Sequence, residues 1–151
     1  MFQLKKVQRL PIDIKHAWDF FSSPANLAVI TPDEMGFVVK TALPERMYAG
    51  MLIEYTVRPM WNIPVTWVTE ITHVEAGTYF VDEQRVGPYA IWHHQHFFKE
   101  IPGGVEMTDI VDYQLPLAPF GNIIHSPIIR PKLEHIFNYR WNKLIELFGA
   151  L

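Results

Sequence analysis

An α+β fold built on one antiparallel sheet is predicted by three features of the 151-residue sequence. Hydrophobicity alternates with period two through the middle of the chain, from Gly36 to Pro116. The separators in that region, "LPERMYAG", "PMWN", "EAG", "VGP" and "IPGG", carry turn residues and are too short for the crossovers that parallel neighbours require. The last segment returns to helical spacing, which supplies one long helix able to cover a curved sheet.

Taken in order, "FQLKKVQRLP" reads as an opening strand. Ile12 and Asp13 then form a hydrophobic staple and N-cap for a helix carrying Ile14, Ala17, Trp18 and Phe21, which stops near Ser22. Ser23 caps a second short helix with Pro24 in its first turn, and Pro32 is expected to terminate it. Strand candidates follow near 36 to 43, 50 to 58, 63 to 74, 78 to 86, 89 to 100 and 104 to 115, making seven strands with the first. In the C-terminal helix Leu133, Ile136, Phe137, Arg140, Leu144, Leu147 and Phe148 fall on one stripe. Pro127 and Pro131 each remove an internal hydrogen bond unless placed in a first turn, so this helix starts near 131 or, with a kink, near 121. There is no repeat, low-complexity segment or linker, and a single domain over 1–151 is expected.

Composition narrows the function. Ten Phe, six Tyr and five Trp are more aromatic bulk than a plain core of this size carries, so some of it is expected to line a cavity. A net charge of −3, with no basic run beyond Lys5 and Lys6, gives no footprint for nucleic acid. The absence of cysteine excludes disulfides, thiolate metal sites and cysteine nucleophiles. The N-terminus lacks the apolar centre of a signal peptide, and no stretch of about eighteen apolar residues occurs. A soluble cytoplasmic protein without stable membrane insertion, monomeric or homodimeric through an open sheet edge, is the expectation.

The chemistry concentrates in "WHHQHFF", residues 92 to 98. Alternation puts Trp92, His94, His96 and Phe98 on one face of a strand and His93, Gln95 and Phe97 on the other. A two-residue turn at Pro102 and Gly103 sets the register with the next strand. Trp92 then faces Tyr113, His94 faces Val111, His96 faces Asp109 and Phe98 faces Met107. A slip by one residue would substitute a more polar row, so this face is taken as the inner one. An inward His96 beside Asp109 suits either a ligand-orienting contact or general acid/base chemistry, and these two are the catalytic candidates. His-x-His on a strand can also chelate a metal, with Asp109 or Asp82 as a third ligand. No further histidine or glutamate at a recognisable spacing completes that set, and no metal or cofactor is expected. Trp18, Trp67, Tyr55, Phe137 and Trp141 suit a core more readily than a pocket, and of these only Phe137 is counted with the pocket. No phosphate loop, nucleophile elbow or dinucleotide fingerprint is present.

The order of elements, with "FVDEQRVGPYAIWHHQHFF" and "MTDIVDYQLP", resembles the START-like helix-grip superfamily, in particular its SRPBCC, polyketide cyclase/dehydrase-like ligand-binding branch. The matching residues are Phe80, Asp82, Gln84, Gly87, Pro88, Trp92, His94, His96, Phe98, Asp109, Val111 and Tyr113, and the likeness extends over nearly the whole chain. It implies a curved seven-stranded antiparallel sheet gripping a long C-terminal helix, with two small helices closing one end. It also implies an internal cavity for a lipid, polyketide or other apolar molecule, in which Asp82 and Gln84 join His94, His96 and Asp109. Whether they do depends on the loop at Gly87-Pro88. With two residues in it, Val81 pairs with His94 and Glu83 points inward; with three, the face reverses and Asp82 and Gln84 point inward.

Three functions fit these residues: binding or transport of a small hydrophobic ligand, a cyclase or dehydratase acting through His96 and Asp109 in the same cavity, or an interaction module using the outer face with His93, Gln95 and Phe97. Only the last requires a filled interior.

Overall fold

The computed structural model describes residues 1–117 and 125–151. The opening strand is Phe2–Leu10 (β1), followed by helices Ile14–Phe21 (α1) and Pro24–Leu27 (α2). Val38–Val39 (β2), Met51–Val57 (β3), Val65–Glu75 (β4), Tyr79–Val86 (β5), Ile91–Ile101 (β6) and Gly104–Gln114 (β7) complete the strands, and Arg130–Phe148 (α3) is the long helix. The seven strands form one antiparallel sheet in the order β1-β7-β6-β5-β4-β3-β2, so the first strand joins the last one and the rest form a meander.

Local chemistry explains the early elements. The Asp13 carboxylate accepts the backbone N–H of His16 at 2.7 Å, satisfying one of the free donors at the start of α1. Ser23 precedes Pro24 as expected, but its side chain makes no cap bond and α2 ends at Leu27, well short of Pro32. One turn without a capping bond has little to extend it. The strand expected over 36 to 43 is likewise reduced to Val38–Val39. Gly36 before it is left-handed, and after it only Lys40 and Thr41 continue to bond to Glu54, so the sheet edge frays there.

The β6–β7 hairpin turns on Pro102 and Gly103, with Ile101 opposite Gly104 and Gly103 at φ +83°, where glycine has no steric penalty. His96 therefore lies opposite Asp109 and His94 opposite Val111. Burial alternates without a break along β7, with Val105, Met107, Asp109, Val111 and Tyr113 all inward. Between β4 and β5 the register shifts twice, between Val68 and Thr69 and between Ile71 and His73. Such irregularities bend a strand pair and increase its local twist.

The inner face is closed by α3. Leu133 and Phe137 pack with Val111 and Tyr113, and Leu144 joins Leu10, Val105 and Met107 beneath α1. Pro131 sits in the first turn of α3, where its missing N–H is harmless, and Pro127 lies in a π-helical turn over His125–Ile129. The start near 131 thus agrees with the structure, while a beginning near 121 lies outside the described residues. Leu147, placed on the inner stripe by spacing, is 42% exposed: it lies in the last turn, beyond Leu144. Among the described residues no helix is long and apolar enough to cross a membrane.

Removing the N-cap with Asp13→Ala is expected to lower stability by about 1 kcal/mol. Urea unfolding measures this, and an unchanged midpoint would show that the cap contributes nothing to α1.

Candidate functional site

Pleating brings Trp92, His94 and His96 of β6 to the concave face. The neighbouring strand adds Asp82, because β5 pairs with β6 so that Asp82 lies opposite His94 and Glu83 opposite His93. That is the register of the three-residue loop, and it settles which acid points inward. Glu83 instead accepts from His93 on the outer face at 2.8 Å.

The side chains do not bond to the residues directly opposite them. His96 Nε2 meets Asp82 Oδ2 at 2.7 Å, and His94 Nε2 meets Asp109 Oδ1 at 3.1 Å, so both hydrogen bonds run on the diagonal. The second nitrogens face the other acid: His96 Nδ1 is 2.9 Å from Asp109 Oδ1 but out of line for a hydrogen bond, and His94 Nδ1 is 3.6 Å from Asp82 Oδ2. Arg140 of α3 completes the cluster, its Nη2 lying 3.5 Å from Asp109 Oδ1 and its guanidinium 5.5 Å from the centre of the Phe21 ring. His94, His96, Asp109 and Arg140 are all buried.

Burial opposes every charge here, and neighbours decide which survive. It pushes the Asp109 carboxyl up, but Arg140, then the hydrogen bond from His94 and the proximity of His96, outweigh it and hold the group well below its ordinary value. Asp82 is also lowered, with His94 and His96 overcoming burial. His96 is raised, since its contacts with Asp109 and Asp82 outweigh burial. His94 is lowered by burial and by the neighbouring His96 cation. These directions favour two carboxylates balanced by one guanidinium and one imidazolium, with His96 the ring that holds its second proton and His94 the ring that gives it up first. This self-neutralising arrangement is how a cluster of charges stays buried.

Above it lies a cavity of about 210 Å³. Asp82, His94, His96 and Arg140 form its polar floor; its apolar walls include Phe21 of α1, Leu27 of α2, Tyr55 of β3, Trp67 of β4, Trp92 of β6 and Phe137 of α3. Asp109 stands behind the histidines and outside the cavity wall. The buried Nε atoms of Trp67 (Nε1) and Arg140 have no hydrogen-bond partner among the described residues. Each residue lines the cavity.

Of the residues assigned to a pocket from sequence, Asp82, Trp92, His94, His96 and Phe137 line it. Gln84 does not: its amide clamps the β5–β6 loop, donating to Tyr89 O at 2.6 Å and accepting from Tyr89 N at 3.0 Å. Phe98 packs with Trp18 and Phe21, and Val111 with the α3 contacts. The Tyr113 hydroxyl pairs with His125 Nε2 at 2.7 Å. Arg140, Trp67 and Tyr55 were not assigned from sequence. For Arg140 a signal existed, a cation on the stripe between Phe137 and Leu144.

Removing one member leaves the others unbalanced. Because Asp109 is depressed in the fold, its stabilisation is present above its ordinary value near 3.8 and is lost as pH falls through the lower folded value. Asp109→Asn is expected to cost about 3 kcal/mol or more near neutral pH, with the gap to wild type narrowing in acid. His96 carries the opposite sign: its stabilisation is complete below about 6.5 and is lost as pH rises through the raised folded value. His96→Gln is therefore expected to flatten the alkaline side of the stability profile. Urea unfolding across pH checks both, and gaps that do not vary with pH would contradict the assignment.

No protein-family model and no curated protein matches the chain. Solved structures do. Protein CV1439 from Chromobacterium violaceum aligns with a TM-score of 0.70 at 13% identity, over 99% of each chain. Ara h 8.0201, a helix-grip protein, aligns with a TM-score of 0.64 at 10% identity, over 96% of this chain and 98% of its own. A nucleoside-diphosphate sugar epimerase from Corynebacterium glutamicum aligns with a TM-score of 0.65 at 23% identity, over 95% of this chain but 28% of the epimerase. Together with the seven-stranded sheet and the long C-terminal helix, these likenesses show that the chain has the helix-grip, START-like fold.

Proposed function

We propose that the protein binds a small, largely apolar ligand between the sheet and α3, as a carrier or binding protein. The observation that carries this reading is a cavity of about 210 Å³ with aromatic walls and a charged floor. An interaction module with a filled interior has no use for such a space. The volume lies below the roughly 300–1,000 Å³ of drug-sized sites, which suits a compact ring compound better than a sterol or a two-chain lipid. The unpartnered Trp67 Nε1 and Arg140 Nε favour an acceptor, such as a carbonyl or carboxylate oxygen, at the polar end of that ligand. Apolar contact supplies most of the affinity and the floor sets orientation.

A second reading, a cyclase or dehydratase-type enzyme, is favoured by one feature. Adjacent imidazoles with ring centres 3.7 Å apart are pushed to opposite protonation states, giving an acid and a base at one cavity floor. His96 remains its candidate catalytic residue, with His94 as the base-competent partner; Asp109, the other candidate from sequence, lies outside the cavity wall and acts only by positioning them.

Because Trp67 and Trp92 line the cavity, binding of a fused-ring aromatic carboxylate is expected to change tryptophan emission saturably. Ile136→Trp, which places bulk in the cavity wall, is expected to weaken that binding about tenfold or more while the protein stays folded. Absence of saturable binding by a panel of such compounds, or an unchanged affinity in a folded Ile136→Trp protein, would count against the carrier reading. Substitution separates the two readings. In His96→Gln, ligand affinity within about tenfold of wild type marks a carrier, and a loss of turnover by about a hundredfold or more marks an enzyme.

A further inference from the structure

Among the described residues, Asp82, His94 and His96 form a group whose potential ligand atoms all lie within 4.8 Å of one another. The contacts give that group a direction. His96 Nε2 is 2.7 Å and His94 Nδ1 3.6 Å from the same oxygen, Asp82 Oδ2, so three atoms capable of donating a lone pair converge on one point. Four donors held tetrahedrally at zinc bond lengths stand about 3.3 Å apart, so small side-chain rotations bring these three to bonding distance.

The opposite edges of both rings face Asp109. His94 Nε2 is hydrogen-bonded to Asp109 Oδ1 at 3.1 Å, and His96 Nδ1 lies 2.9 Å from the same oxygen, needing only a small ring rotation to come into line. A carboxylate behind a histidine, orienting its ring and raising its basicity, is the usual outer support of a metal-bound imidazole. Here one carboxylate serves both rings, and Arg140 at 3.5 Å offsets its charge. The division matches the cavity: Asp82, His94 and His96 face it, and Asp109 stands behind.

We infer that Asp82, His94 and His96 form a binding site for one first-row divalent metal ion, supported from behind by Asp109 and open towards the cavity. Two imidazoles and one carboxylate with free positions suit zinc or ferrous iron rather than magnesium or calcium, which prefer all-oxygen sites. Of the two third ligands that the sequence allows, Asp82 and Asp109, the β5–β6 register selects Asp82 by turning it inward beside both rings. The ion takes the place of the His96 proton: with both imidazoles neutral, the two carboxylates and Arg140 leave one negative charge, which a divalent ion reverses to a single positive charge facing the cavity. Such a site attracts an anionic or strongly polarised oxygen on a bound ligand, but the metal site itself does not depend on the ligand reading.

The test uses the whole, chelator-treated protein and metal alone, with no organic ligand. Cobalt(II), which reports four- or five-coordination by strong visible bands, is expected to bind with one-to-one stoichiometry in the micromolar range, and zinc to displace it. Asp82→Asn and His94→Gln are expected to weaken binding about a hundredfold or more, and Asp109→Asn about ten- to a hundredfold. His135→Gln, which alters an exposed pair with Glu34, is expected to leave it unchanged. Circular dichroism confirms that each variant is folded. Should a variant not fold, X-ray absorption of the zinc-loaded wild type decides, with scattering from two imidazoles expected. No binding at millimolar metal, unaltered affinity in folded Asp82→Asn, dependence on His135, or fewer than two imidazoles would overturn the inference.

Discussion

Everything at the centre of this protein depends on keeping five ionisable side chains buried together without leaving a charge unbalanced. Asp82, His94, His96, Asp109 and Arg140 come from β5, β6, β7 and α3, so the balance exists only when the sheet register and the docking of the helix are both correct. A one-residue slip of β5 would replace Asp82 by Glu83, and one of β7 would replace Asp109 by a neighbour that now faces outward. The cluster is thus a check on the fold as well as a candidate site. A hydrophobic core at the same place would be at least as stable, which makes a role in ligand or ion binding the more economical reason for it.

The apolar half of the structure creates the room that the cluster faces. The β4–β5 pairing is irregular, and α3 packs against the concave side of the sheet through Leu133, Phe137, Arg140 and Leu144. The aromatic side chains around the cavity meet in several ways: Trp67 stands edge-on to Trp92 at 5.3 Å and 89°, and lies nearly parallel to Tyr55 at 14°. The abundance of aromatics in the composition therefore becomes a cavity wall, and the cavity in turn gives the polar floor something to face.

The architecture and part of the site were legible in the sequence because they rest on short-range rules. A turn at Pro102 and Gly103 with alternating flanks was enough to place His96 opposite Asp109 and His93 outside. What escaped depended on longer-range geometry. The Gly87-Pro88 loop allowed two registers, and only the folded β5–β6 pairing selects Asp82. The diagonal hydrogen bonds could not be read from residues that are merely opposite. Gln84 shared the family-like spacing with Asp82 yet is taken up by the Tyr89 backbone, a loop contact invisible to strand alternation. Arg140 was visible on the helix stripe, but nothing in one helix says that its partner is an aspartate on β7.

The central claim is that the two inward histidines differ in protonation because the cluster neutralises itself. Nitrogen-15 NMR of the imidazole side chains, recorded on chelator-treated protein slightly above neutral pH, tests it most directly. The expected spectrum shows His96 with both ring nitrogens protonated and His94 neutral with its proton on Nε2, the nitrogen facing Asp109. Two neutral rings, or two rings titrating together near the ordinary histidine value, would contradict the account.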